Sequence, residues 1–219
     1  MADPMTSTQV EISRLHFPVR ALGPGERIGI WFQGCSIRCP GCISLDTWTT
    51  GRGLTTVETV LAAVEPWLPF ATGFTISGGE PFDQPKALMV LLTGLREMHA
   101  GDILVYSGHA FEKLPVDEFS GLLDALISDP LRLDRSQELP LRGSDNQRLH
   151  LLTELGREKF SYAVAPTGAE HALDVMFDDD SGDVFLAGIP RRGDLVRLQR
   201  ILEQSGHRAG ITEDKRRQP

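Results

Sequence analysis

The sequence predicts an α/β fold built from parallel strand–helix units. Three observations carry that expectation. Short apolar strands alternate several times with amphipathic helical stretches. One strand, Asp102-Ile103-Leu104-Val105-Tyr106-Ser107, is apolar almost throughout, as a strand covered on both faces must be. A chain of 219 residues, 41% hydrophobic and 24% charged, also has the length and composition for a sizeable core without disulfides.

The elements follow in order. Val10 to Leu15 alternates apolar and polar, which predicts an edge strand within an entry segment of residues 1–22. Gly23-Pro24-Gly25 is a turn. Arg27 to Phe32 is the first firm strand, and it delivers the chain into a loop that begins Gly34-Cys35. Thr55-Thr56-Val57-Glu58 fits a capping box, and Val57, Val60, Leu61 and Val64 fall on one helical face behind it. Thr72 to Ile76 is the next strand and runs into Ser77-Gly78-Gly79-Glu80-Pro81. Asp83 is the expected N-cap of the following helix, with Pro85 in its first turn and Leu88, Leu91, Leu92 and Leu95 as its apolar stripe. Beyond the strand at 102–107, Phe119 to Leu123 reads as helix and Asp124 to Ser128 as a short strand.

Asp129 to Arg142 is rich in proline and charge and reads as a loop. Arg142 to Gln147 reads as a turn feeding a helix that carries Leu149, Leu151, Leu152 and Leu155. Phe160 to Val164 reads as a strand. Leu173 to Phe177 and Asp183 to Ala187 flank Asp180-Ser181-Gly182 as a hairpin, and Leu195, Leu198, Ile201 and Leu202 line a last helix. The expected division is therefore an entry segment at 1–22, a main domain at 23–210 and a charged tail at 211–219, with no internal repeat.

All three cysteines of the chain, Cys35, Cys39 and Cys42, stand on one short loop. As buried small hydrophobes they would be ill placed, because Gly34, Pro40 and Gly41 make a poor core strand. As thiolates they make a metal site. A structural zinc wants four closed ligands, and a closed 4Fe-4S cluster wants four cysteines. Three cysteines can hold three irons of a cubane and leave the fourth iron open. An odd, clustered set of thiols argues against a disulfide framework and for a reducing cytoplasm. A net charge of −8 argues against a nucleic-acid-binding surface. No apolar run is long enough to span a membrane, and Met1 to Met5 show no secretory signal.

The spacing Cys-x3-Cys-x2-Cys after the first firm strand, with Ser77-Gly78-Gly79-Glu80-Pro81 at the end of the next, resembles the radical S-adenosylmethionine (SAM) superfamily. Trp31-Phe32-Gln33-Gly34-Cys35, Cys39-Pro40-Gly41-Cys42 and Thr47-Trp48 are similar to the activating component of anaerobic ribonucleotide reductase. So are Val105-Tyr106-Ser107-Gly108 and the segment Arg142-Gly143-Ser144 to Arg148. The resemblance runs from about Gly23 to Leu155. Ser128-Asp129 departs from it, as do the longer N-terminus and the segment after about Ala172.

The resemblance implies a partial, open (β/α)6 barrel with a short C-terminal hairpin-helix extension, the cysteine loop and the Gly78-Gly79 turn lying at the C-terminal strand ends. It implies a 4Fe-4S cluster on Cys35, Cys39 and Cys42, with SAM on the open iron and cleaved there to a 5′-deoxyadenosyl radical. Gly78, Gly79 and Glu80 would meet the methionine end of SAM, since a glycine pair lets backbone approach a ligand closely. Gly41 would leave space over the cluster, and Ser107 would reach the ribose. Glu80 can instead organise the strand end by accepting backbone hydrogen bonds, and Ser107 can be a cap. Arg142-Gly143-Ser144 and Asn146 read equally as contacts to SAM or a partner and as a turn with a helix cap. His109 has no assigned role, Asp178-Asp179-Asp180 reads as a solvated turn, and Trp31 and Phe32 read as core. No catalytic side chain is assigned. The expected function is a radical SAM activase that installs a glycyl radical on a partner enzyme and draws electrons from a low-potential donor such as flavodoxin or ferredoxin. Two other readings stand beside it: a radical SAM enzyme acting on a small molecule or peptide, and a non-catalytic metal or electron-transfer module.

Overall fold

A computed structural model describes residues 8–166, 172–177 and 184–206. Along them run strands β1 (Gln9–Val19), β2 (Arg27–Phe32) and β3 (Leu54–Thr56), helix α1 (Val57–Val64), strand β4 (Gly73–Gly78), helix α2 (Pro85–Met98), and strands β5 (Asp102–Tyr106), β6 (Ala125–Ser128) and β7 (Arg148–Leu151). Helix α3 (Glu154–Phe160), the hairpin strands β8 (Leu173–Phe177) and β9 (Val184–Gly188), and helix α4 (Asp194–Gln204) complete the order. The first seven strands form one sheet in the order β3-β1-β2-β4-β5-β6-β7.

The centre of that sheet is parallel, from β2 through β4 and β5 to β6. This is the α/β fold that the alternation predicts. The expected six-unit barrel is met only in part. Parallel pairing stops at four strands, the pairings β2-β1, β1-β3 and β6-β7 are antiparallel, and the sheet ends openly at β3 and β7. The reason lies after β6, where the chain makes no helical crossover but turns back through a loop to lay β7 alongside.

The strands are two-faced, as a pleated strand with period two must be. Ile28, Ile30, Phe32, Phe74, Ile76, Ile103, Val105 and Leu126 pack on one face under α1 and α2, which contribute Val57, Val60, Val64, Leu88, Leu91, Leu92 and Leu95. The opposite face carries Trp31, joined by Met176 and Ala187 of the hairpin, and Leu104, Ala125 and Ile127, joined by Phe160 of α3. That face also holds an ion pair. The Arg27 guanidinium donates to Asp102 Oδ2 at 2.6 Å and to Thr75 Oγ1 at 2.7 Å, with the two charged side chains 0% and 2% exposed. Burying either charge alone would be prohibitive, so the pair fixes β2 against β4 and β5 in this register.

Several local expectations shift for identifiable reasons. β1 is no edge strand, because β3 pairs outside it through Val10 and Thr55. That pairing takes Thr55 out of capping, and Thr56 caps α1 by accepting the Thr59 N–H. Gln84, not Asp83, precedes α2, with Pro85 at its first position. Leu149 and Leu151 belong to β7, where they pack beside Ala125 and Ile127, and the helix starts later, capped by Thr153. A short apolar run fits both periods, and pairing with β6 decides between them. Phe119 to Leu123 is no α-helix but follows a tight turn at Val116–Phe119, and Ser161–Ala163 is another tight turn rather than a strand. Asp178-Asp179-Asp180, the Asp180-Ser181-Gly182 turn and the 211–219 tail lie outside the described residues. Among the described residues no helix is long and apolar enough to cross a membrane.

Candidate metal centre

The cysteine loop leaves the end of β2 and is fastened by main chain before its first thiol. Gln33 N–H donates to Glu11 O at 2.9 Å, Gly34 N–H to Thr47 O at 2.8 Å and Cys35 N–H to Trp48 O at 3.2 Å. From the end of β4, Gly79 N–H donates to Phe32 O and Glu80 N–H to Gly34 O, both at 2.8 Å. These bonds explain the glycine pair. A Cβ on Gly79 would lie 2.0 Å from Gly34 O, and one on Gly78, where φ is +102°, would lie 2.5 Å from the Phe32 backbone. The pair is small so that the strand end can touch the cysteine loop.

Glu80 is 1% exposed, and both its oxygens are engaged. Oε1 accepts from Phe82 N–H at 3.0 Å and Ser107 Oγ at 2.9 Å, and Oε2 accepts from Gly108 N–H at 2.7 Å. Burial raises its pKa, against the pull of those hydrogen bonds. Of its two sequence-level roles, organising the strand end is the one these contacts display: the carboxylate ties the β4 turn to the end of β5. Ser107 is drawn into the same network and also accepts the His109 N–H at 3.1 Å.

Cys35, Cys39 and Cys42 are half-buried and free of disulfides. They open onto one cavity of about 130 Å³ that Ser77, Gly78, Gly79, Glu80 and Ser107 also line. Gly41 is displaced from this role. It lines an adjoining cavity of about 160 Å³, and the space above its missing side chain is filled by Leu133, 2.5 Å from where a Cβ would stand. The two cavities share Cys42, Ser77, Gly78, Tyr106, Leu131 and Gln147 as walls. The outer wall of the second comes from Gly188 to Arg192, just beyond β9.

Burial pushes the Cys39 thiol up to about 11, opposed by the backbone N–H of Leu131. It raises Cys35 against the N–H groups of Arg38 and Ile37, and Cys42 against Ser44 N–H and the Trp48 indole. That indole N–H is buried beside the Cys42 sulfur. Each sulfur therefore sits among N–H donors, an environment that suits a thiolate once a metal takes its proton. Among the described residues no three His, Cys, Asp or Glu side chains close around a single metal ion. A lone zinc would draw its sulfurs to within about 2.3 Å of one point. Thiols spread around a cavity, with no fourth cysteine, fit a cubane held at three corners.

Of the other sequence-level candidates, Gly143 lines the second cavity and the rest fall elsewhere. Arg142 is buried, donates to Ala163 O and lines neither cavity. Ser144 Oγ accepts Arg132 N–H, and Asn146 donates to Pro130 O, so this segment organises its own loop. Trp31 and Phe32 are core residues. Some participants escaped sequence reading. Asp83 accepts both the N–H and the hydroxyl of Ser36, at 2.7 and 2.9 Å, and meets His109 Nε2 at 3.2 Å, so it clamps the cysteine loop from the β4 side. Gln84 donates to Glu11 O and Gln33 O and accepts Glu11 N–H. No local pattern marks either one; the signal was only their position after the glycine turn.

Comparison with known proteins agrees with this centre. Pyruvate formate-lyase-activating enzyme of Staphylococcus aureus strain USA300 is 29% identical over 178 residues, covering 76% of this chain and 69% of that protein, and its counterpart in strain MRSA252 matches equally. The crystal structure of QueE from Escherichia coli overlaps 46% of this chain and 53% of its own at 21% identity with a TM-score of 0.39, too loose a likeness to carry a conclusion. A family model described as a 4Fe-4S single cluster domain matches residues 21–150. That span holds the three cysteines, the glycine turn and the whole parallel sheet, and by it the chain belongs to the 4Fe-4S single cluster domain family.

Proposed function

We propose that this protein is a radical SAM enzyme of the activase kind, which installs a glycyl radical on a partner enzyme. The observation that carries the reading is the donor set. Cys35, Cys39 and Cys42 face a cavity that offers no fourth cysteine and is walled instead by the Gly78-Gly79-Glu80 strand end. The relative named for activating pyruvate formate-lyase supports the partner class.

When bound, the cluster and SAM supply one low-potential electron and a 5′-deoxyadenosyl group that takes a hydrogen atom. The residues do the rest by position. Cys35, Cys39 and Cys42 would hold the cluster, and its site without a cysteine would be open to SAM. Ser77 and the Gly78-Gly79 backbone border the same cavity, where the methionine end would lie. Glu80 keeps the ends of β4 and β5 in fixed relation, and its oxygens are already committed to Phe82, Ser107 and Gly108. Trp48 and Leu131 complete the walls and limit water. The second cavity adjoins the first and would receive the group that gives up its hydrogen. Electrons would come from a flavodoxin or ferredoxin in a reducing cytoplasm.

A second reading, action on a small molecule or peptide, draws on one observation. Residues 188–192 wall the second cavity, of about 160 Å³, which favours a compact substrate. The decisive experiment is anaerobic reconstitution with iron and sulfide, reduction, and assay for 5′-deoxyadenosine, followed by electron paramagnetic resonance of the candidate partner. A glycyl radical on the partner supports the activase. SAM cleavage with a silent partner defeats it and leaves the second reading, and a cluster indifferent to SAM defeats both.

A further inference from the structure

The C-terminal extension is stitched to the rest of the chain at two places. At one end, Asp174 Oδ2 accepts the N–H groups of Arg20 and Ala21, both at 2.7 Å. At the other, Arg192 Nη2 donates to three carbonyls of the loop between β6 and β7: Arg132 O at 2.9 Å, Gly143 O at 3.1 Å and Arg135 O at 3.3 Å. Gln137 Nε2 of that loop donates back to Pro190 O at 2.8 Å. Arg192 meets no carboxylate among the described residues, so its cation is spent on carbonyl dipoles alone.

The same loop lies on the cysteine loop. Leu133 fills the niche over Gly41, and Leu131 lines the cavity of the three thiols with its N–H at Cys39. Cys35 borders the same cavity, but its own contacts come from elsewhere: Arg38 N–H of its own loop and, through Ser36, Asp83. The cover is therefore one-sided.

We infer that Arg192 is a positioning residue for the metal centre: its guanidinium holds the loop of Leu131 and Leu133 down over the Cys39–Cys42 half of the cysteine loop. The chain is set up to test this. Trypsin cuts after Arg38, which puts Cys35 on one peptide and Cys39 with Cys42 on the next. Full-length protein without metal is pulsed with iodoacetamide under argon in native buffer, and labelling of the two peptides is read by mass spectrometry. Arg192→Ala is expected to raise the rate at the Cys39–Cys42 peptide about tenfold, a local opening in proportion to the hydrogen bonds released, and to leave the Cys35 peptide within about twofold. Arg192→Lys keeps one cationic donor group but on a shorter side chain, and is expected to fall between. Gln137→Ala removes the reciprocal bond and is expected to show the same selectivity at smaller size, which keeps the test alive if the arginine variant folds poorly. After reconstitution, iron loss to a strong chelator should accelerate in the same order. An equal rise at both peptides means general loosening and overturns the inference, as does no rise at either in both variants.

Discussion

Residues 27–80 hold the cysteine loop by main chain, whereas residues 129–192 cover it with side chains. In the first region the grips are backbone pairs: Gly79 to Phe32, Glu80 to Gly34, Gly34 to Thr47. Short of proline, no substitution removes such a bond; it can only push the two strands apart. In the second region the grips are an exposed arginine, a glutamine and two leucines, each removable by a single change. The first region sets where the sulfurs stand, and the second sets what reaches them. A chemistry fixed in one place can thus be fitted to different partners by altering only the cover.

The strongest way to break that comparison is to put the same methyl group on both sides. Gly79→Ala drives a Cβ against a carbonyl that cannot move without the cysteine loop. Iron bound after reconstitution should fall to less than about one-tenth of the wild-type content. Gly41→Ala meets only the flexible end of Leu133 at a φ of +81°, and should keep its iron at a cost of about 1–2 kcal/mol in urea unfolding. Equal iron loss in the two variants would erase the distinction between frame and cover. Next in size is Asp102→Ala, which strands the buried Arg27 charge beneath the site and should cost about 3–5 kcal/mol of unfolding free energy. A loss below about 1 kcal/mol would show that the frame does not depend on this pair. Glu80→Gln places an amide where three donors converge, so one donor loses its acceptor. The expected cost is about 1–3 kcal/mol by the same assay, with iron still bound. The smallest effect belongs to the extension. Asp174→Ala frees two backbone N–H groups near water and should cost about 1 kcal/mol while leaving the cluster spectrum unchanged.

What could be read in advance follows from the same contrast. The parallel strands were legible because each buries both faces and so spells out a continuous apolar run, as at Asp102–Tyr106. The cysteines and the glycine turn were legible as residue types, since few other side chains can stand in for a thiol or for a residue without a Cβ. The reason for the glycines was not legible, because it depends on Gly34 O arriving from another strand. Leu149 and Leu151 misled because Leu152 and Leu155 continue the run at helical spacing from Leu151, and only pairing with a neighbour such as β6 chooses strand for the first two. Arg27 looked like an ordinary strand residue, and its partner stands 75 positions away. Arg192 was invisible for a simpler reason: its acceptors are carbonyls, and every residue has one.

The contact between Gly79 and Gly34 has one more consequence. A receptacle whose shape is set by its own peptide groups does not depend on its cargo to stay formed. Oxygen that strips iron and sulfide from such a pocket would spoil the contents and spare the mould. Iron and sulfide added back would then refill the existing protein without new synthesis.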